Sequence, residues 1–150
     1  MDVDKIHILA KEIRKKSLLM VYNAKASHIG SALSIADILA VLYGHCLEFK
    51  KSKPKDVFRD RFILSKGHAC VALYAALSEV ELLDELELAT YGNDFSNLMN
   101  HVSHKVPGVE FSTGSLGHGL PFGVGKAKFA KMSNKNWMCY VLMSDGEIAE

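Results

Sequence analysis

The sequence predicts an α/β domain built on a parallel sheet, and three observations carry that expectation. Residues 137–143 are seven consecutive apolar side chains, the pattern of a strand covered on both faces. A second short apolar segment, Arg61 to Leu64, ends at Ser65-Lys66-Gly67. Around these two lie stretches with helical composition and spacing, and helices alternating with short buried strands define an α/β architecture. Composition agrees, since 150 residues with 49% apolar and 23% charged types suit one globular domain. Eighteen Lys and Arg against seventeen Asp and Glu leave +1, which excludes a general binder of nucleic acid or anionic membranes. The longest apolar run, 69–77, holds nine residues, about half of the roughly 20 that span a bilayer. Asp2 and Asp4 break the basic-then-apolar order of a secretory signal. Cys46, Cys70 and Cys139 sit in apolar surroundings and read as buried free thiols, which sets the chain in a reducing compartment, the cytoplasm.

Each element follows in order. Residues 4–22 combine strong helix formers with Ile6, Leu9, Ile13 and Met20 on one face, which predicts an amphipathic helix. A small-residue loop over 27–34 contains His28 and Gly30. Ser34 and Asp37 have capping-box spacing and open a largely buried helix ending near Gly44. Six basic residues and Pro54 mark 50–61 as a solvated connection. Beyond the strand at 61–64, the Ala- and Leu-rich run after His68 predicts a buried helix. An acidic helix over 84–91 stops at Gly92, and 93–113 reads as loop. Gly114 begins a glycine-rich turn followed by a helix to Lys131, and the 133–136 loop leads into the last strand. Only seven residues follow Met143, so more sheet is expected to come after it, with an apolar edge or face left uncovered here.

Three places can carry chemistry. Ser144-Asp145-Gly146-Glu147 directly follows the predicted last strand, and open α/β sheets bind ligands at the carboxyl ends of strands. A carboxylate before glycine there suits Mg²⁺ or Ca²⁺ bridged to a phosphate; it equally describes an Asp-Gly turn closing a strand. Gly114, Gly117 and Gly119 fall within six residues before a helix, which lets a ligand approach the backbone closely or simply makes a tight turn. The spacing matches neither a Walker A loop, a dinucleotide fingerprint nor a nucleophile elbow. His28, His68, His101 and His118 each stand at an element junction beside small or glycine residues, where imidazoles can donate, accept and shuttle protons. Zinc fits poorly, because His101-x-x-His104 has no partner pair at ligand spacing.

Taken together, Ser27-His28-Ile29-Gly30-Ser31, Asp60-Arg61-Phe62-Ile63-Leu64-Ser65-Lys66-Gly67-His68-Ala69, the block from Pro107 to Gly119, and Ser144-Asp145-Gly146-Glu147 resemble the N-terminal, thiamine-diphosphate-binding part of transketolases. The likeness is strongest to the short split form, whose two halves are separate chains. The block fits transketolase better than a dehydrogenase α subunit or deoxyxylulose-phosphate synthase. The resemblance implies a three-layer thiamine-diphosphate-binding fold with a parallel sheet, incomplete at the C-terminus, with 1–150 as part of one domain. It also implies transfer of a two-carbon ketol unit from a ketose phosphate to an aldose, using thiamine diphosphate and Mg²⁺ or Ca²⁺.

Position by position, the resemblance makes Asp145 the metal ligand, with Gly146 leaving the backbone room for the diphosphate. His68 becomes a diphosphate contact. Gly114 and Leu116 become contacts to the cofactor's rings, Leu116 helping to exclude water. His28 and His101 become the catalytic histidines that hold substrate hydroxyls and move their protons. Glu150 matches a glutamate near the family's dimer interface. Two departures stand out: Ser144 replaces the first glycine of the usual Gly-Asp-Gly turn, and Asn100-His101-Val102 replaces Gly-His-Pro. The family's further metal ligands and its pyrimidine-binding domain would lie beyond Glu150. The chain alone is therefore expected to bind the cofactor weakly and to be inactive, working as a homodimer, with a separate C-terminal transketolase chain, or both. The alternative is a non-catalytic module that pairs with a transketolase-type partner.

Overall fold

The computed structural model describes residues 2–150. Its frame is a two-stranded parallel sheet of β1 (Arg61–Leu64) and β2 (Cys139–Leu142), paired Arg61 to Cys139 through Leu64 to Leu142. Five helices flank it: α1 (Val3–Ala24), α2 (Ile29–Leu33), α3 (Ala36–Val41), α4 (Cys70–Glu79) and α5 (Gly119–Met132). The pleat separates two sides. Phe62, Leu64 and Leu142 join the core made with α1, α3 and α4, whereas Ile63 and Val141 face α5. Gly123 makes that second contact possible, because a Cβ there would lie 2.4 Å from a Val141 methyl. Helices thus cover both faces of a parallel pair, which gives three layers.

The long first helix forms as its pattern dictates. Asp2 caps it by accepting from the Lys5 amide at 3.3 Å, and Ile6, Ala10, Ile13, Ser17 and Met20 are its buried stripe. Every residue of α4 from Cys70 to Ser78 is buried, as an all-apolar helix in a core must be. Cys70 is buried and Cys46 and Cys139 are half-buried, all three as free thiols.

Several expectations need correction. The 27–34 segment is not simply loop, because α2 starts at Ile29 directly after His28. The Ser34–Asp37 box does not form: Ser34 Oγ donates to the Ser31 carbonyl at 2.8 Å, and Asp37 is drawn to Arg14 of α1, whose Nη1 donates to Oδ1 at 3.0 Å. The buried helix accordingly starts at Ala36 and ends in a π turn over Leu42–Cys46. Residues Glu85–Thr90 wind as 3₁₀ rather than α; the buried Leu88 and Tyr91 stand three apart, the repeat at which a 3₁₀ turn aligns side chains.

The 50–61 connection is also not solvated throughout. Asp60 is buried and accepts from the amides of Glu48 at 2.9 Å and Met138 at 2.6 Å. Arg59 pairs with the half-buried Glu110, which Arg61 and Lys126 also approach at 3.8 and 3.7 Å. Those pairs anchor the segment leading to the glycine turn against β1 and α5. Finally, β2 is shorter than the apolar run and only half-covered, with Cys139 to Val141 half-buried and Met138 exposed; Cys139 and Val141 face α5, whereas Tyr140 packs at the margin of the core. Leu120, Val124, Phe129 and Met132 of α5 are exposed as well. No helix among the described residues is long and apolar enough to cross a membrane.

Candidate functional site

Both strands point their carboxyl ends at one region, where open α/β sheets receive ligands. After β1 the chain passes through Ser65-Lys66-Gly67 into a 3₁₀ turn, Gly67–Ala69, that presents His68. After β2 it passes through Ser144 and Asp145 into a second 3₁₀ turn, Gly146–Ala149. The glycine segment 114–119 is fastened between them. Thr113 Oγ1 donates to the Leu64 carbonyl at 2.7 Å, and the Gly119 amide donates to Ser65 Oγ at 3.1 Å. Gly67 must lack a side chain, because a Cβ would fall 2.3 Å from the Thr113 carbonyl oxygen.

Three of the four junction histidines converge. The His28 ring centroid lies 5.2 Å from that of His68 and 6.3 Å from that of His101. Each arrives differently. His28 takes the left-handed backbone conformation, φ 68°, that starts α2. His68 rides on the turn after β1. His101 sits on a loop pinned from α4, where the Tyr74 hydroxyl is 3.2 Å from both the Met99 and His101 carbonyls. The Val102 amide also donates to the Gly67 carbonyl at 3.3 Å, and Tyr91 holds Asn100 at 2.6 Å. The Asn-His-Val sequence is therefore fixed without the usual glycine and proline. Gly114 adjoins His101, a Cβ there lying 3.8 Å from the His101 ring.

The electrostatics follow from burial. Burial pushes His68 below its ordinary value, and His28, Lys66 and His101 add to the fall while Glu147 opposes it. The imidazole is thus held neutral, able to accept as well as donate. Burial lowers Lys66 too, with Glu147 and Asp145 pulling back; its ammonium donates to the Ser31 carbonyl at 3.2 Å and to Ser34 Oγ at 3.1 Å. These contacts tie α2 to the end of β1.

Asp145 and Gly146 are exposed at the end of β2, and the Asp145 carboxylate takes none of the hydrogen bonds or ion pairs found among the described residues. A Cβ on Gly146 would meet nothing within 4 Å. No group of three or more His, Cys, Asp or Glu side chains forms a metal cage among the described residues. That donor set nevertheless fits Mg²⁺ bridged to a diphosphate, which characteristically uses one or two carboxylates and completes its shell with phosphate oxygens and water. Leu116 is partly exposed beside Gly117, and His118 starts α5 apart from the other histidines. Both line an open cavity of about 440 Å³ with Leu120, Met143, Glu147 and Glu150.

One residue of the Ser144-Asp145-Gly146-Glu147 motif to which the sequence assigned no role of its own dominates the interior of the site. Glu147 is only 2% exposed. Its Oε1 accepts from Ser65 Oγ at 2.8 Å and the Gly117 amide at 3.1 Å, and its Oε2 from the Ser144 amide at 2.9 Å. Burial opposes its charge, but the Ser144 and Gly117 amides and the Ser65 and Ser144 hydroxyls outweigh that, so the carboxyl sits below its ordinary value. The available signal was Ser144-x-x-Glu147, capping-box spacing in which the acid reaches back to the first amide.

A glycine turn, a histidine cluster and an Asp-Gly turn thus gather at the carboxyl edge of a parallel sheet, where α/β domains bind their ligands. A family model described as "Transketolase, thiamine diphosphate binding domain" matches residues 6–150, and the chain belongs to the transketolase family. It is 42% identical over 150 residues to one of the subunits of apulose-4-phosphate transketolase from Phocaeicola vulgatus, covering 100% of this chain and 53% of that one. It is 37% identical over 142 residues to human transketolase, covering 94% of this chain and 23% of that protein. The crystal structure of transketolase from Campylobacter jejuni superposes with a TM-score of 0.92 at 32% identity, covering 100% of this chain and 25% of that one. The chain thus spans about half the length of the Phocaeicola relative and about a quarter of the single-chain transketolases. The expected α/β thiamine-diphosphate-binding fold is the one observed.

Proposed function

We propose that this chain is the cofactor-binding part of a transketolase that moves a two-carbon ketol unit from a ketose phosphate to an aldose. The observation that carries the reading is the meeting of His28, His68 and His101 beside Gly114, at the strand ends that also present Asp145. Thiamine diphosphate supplies, when bound, the stabilised carbanion that such carbon–carbon bond exchange requires.

The protein's own residues do the rest. Asp145 takes the divalent cation, with Gly146 leaving the backbone open to the diphosphate, and neutral His68 donates to that diphosphate. Gly114 and Leu116 line the cofactor's rings, where the Leu116 side chain displaces water. His28 and His101 hold the substrate's hydroxyls and remove or return their protons, work that suits imidazoles near neutral pH. The Phocaeicola relative is itself one piece of a multi-chain transketolase, by its name, which supports a separate C-terminal chain as partner here, alone or within a homodimer. The three free thiols support a reducing compartment, the cytoplasm.

The test is ketol transfer by the full-length protein assembled with its partner, supplied with thiamine diphosphate, Mg²⁺, a ketose phosphate and an aldose. Transfer that is lost on chelation and in His28→Ala or His101→Ala supports the reading. Cofactor binding without any transfer favours a non-catalytic pairing module. No metal-dependent cofactor binding at all rejects both the cofactor and the reaction.

A further inference from the structure

We propose that Glu147 is a positioning residue that fixes the Asp145 turn and the glycine turn relative to each other, so that the two ends of one bound cofactor are met at a set span. The inference rests on the cofactor reading above and deepens it. Glu147 is almost fully buried where it lines the cavity beside Leu116, and its two oxygens are divided between segments far apart in sequence. Oε1 holds Ser65 Oγ at the end of β1 and the Gly117 amide of the glycine turn at 2.8 and 3.1 Å. Oε2 holds the Ser144 amide at 2.9 Å, with Ser144 Oγ at 3.4 Å.

Those bonds constrain the residues on either side. The Glu147 amide donates to the Ser144 carbonyl at 3.2 Å, so Asp145 is suspended between Ser144 and Glu147, both fixed, while its own carboxylate faces out. Gly117 takes a φ of 79°, a conformation glycine reaches without strain, and its amide is thereby turned toward Glu147. Leu116 immediately precedes that amide. Ser65 extends the link, since its oxygen also accepts from the Gly119 amide at 3.1 Å where α5 begins. A single buried carboxylate therefore sets how far the exposed Asp145 stands from Leu116, and outer hydrogen-bond partners of this kind orient metal ligands.

Glu147→Gln separates the two tethers. Gln keeps the shape and one carbonyl oxygen, but its amide NH₂ must face either the Ser144 amide or the Gly117 amide, and N–H against N–H breaks that tether. The measurements use the full-length protein assembled with its partner. One is the thiamine diphosphate dissociation constant at saturating Mg²⁺; the other is amide hydrogen exchange at Ser144 and Gly117 without ligands. The expected result is faster exchange at one of those two amides and a dissociation constant raised about ten- to a hundredfold, with the loss falling on cofactor affinity more than on kcat at saturating cofactor. Faster exchange with unchanged cofactor affinity overturns the proposal, because the tether would then be structural only. If Glu147→Gln does not fold, Ser65→Ala, which removes one donor to Oε1, is expected to weaken cofactor binding several-fold, and unchanged binding overturns the proposal equally. A wild-type protein that binds no thiamine diphosphate with Mg²⁺ instead removes the cofactor reading itself.

Discussion

After β1 the chain turns through Ser65, Lys66 and Gly67, all buried, whereas after β2 it turns through Ser144, Asp145 and Gly146, of which the last two are exposed. The first turn is locked by neighbours on every side: Thr113 binds the Leu64 carbonyl, Gly119 binds Ser65, and Gly67 is pressed against Thr113. The second turn is held from beneath by the Glu147 carboxylate and by the Ile148 amide, which donates to the Asp145 carbonyl at 3.2 Å, and its outer surface is open. Two chemically similar strand-end turns thus divide the work of a site between a scaffold that cannot move and a ligand-facing edge that stays available. Substitutions should therefore act on stability at the first turn and on ligand binding at the second.

The sharpest break of that contrast is Gly67→Ala. A methyl placed 2.3 Å from a backbone oxygen forces the glycine segment away from β1, and a loss of about 3 kcal/mol is expected, at the upper end for overpacked positions. Gly119→Ala, with its Cβ 2.5 Å from Ser65, should behave similarly. The midpoint of urea unfolding measures both, and a wild-type midpoint for either would mean the glycine turn is not pressed on the strand end. Next in size is Thr113→Val, which preserves volume but deprives the Leu64 carbonyl of its buried donor. The expected cost is about 2 kcal/mol, within the range for an acceptor left unsatisfied.

At the second turn the same experiments should show almost nothing. Gly146 has open space at its Cβ position and no positive φ, and the Asp145 carboxylate is exposed. Gly146→Ala and Asp145→Asn should each stay within about 0.5 kcal/mol of wild type, as surface changes do. Calorimetric titration of the assembled protein with thiamine diphosphate and Mg²⁺ should nevertheless show binding lost in Asp145→Asn. A variant at 145 that unfolds easily but still binds the cofactor would reverse the division between the two turns.

How much of this was legible in the sequence differs by the range of the interaction. The long α1 stripe, the buried α4 and the parallel strands followed from local composition and period, because each is decided by which side chains leave water. The capping patterns show where local reading stops. Ser34-x-x-Asp37 and Ser144-x-x-Glu147 present the same spacing, yet only the second has its acid bound to the first amide. Asp37 was claimed by Arg14, 23 residues away, while Glu147 was drawn inward by Ser65, 82 residues away, and by Gly117, 30 away. Neither separation leaves a mark in a window of four residues. In the same way the histidines were visible singly at junctions, but their meeting depends on a left-handed start to α2 and on Tyr74 holding a loop from below.

The smallest effect concerns the charge of the locked turn. Burial first, then His28, Lys66 and His101, depress His68 below its ordinary 6.5. The unfolded chain therefore holds the proton more tightly than the folded one, and between 6.5 and the lowered folded value the stability contributed by this group falls as pH falls. Above 6.5 the imidazole is neutral in both states and adds no pH dependence. His28→Gln removes the largest of the charged neighbours acting on His68 and should raise its value toward 6.5, a change read directly by proton NMR titration of the imidazole Cε1–H. The same variant should leave the urea midpoint at pH 8 near wild type, since His28 is exposed, while narrowing the fall in stability on acidification. A His68 that titrates at or above 6.5 would mean that water reaches the turn after β1 freely, and the contrast between a sealed first turn and an open second one would fail at the residue where the two meet the histidine cluster.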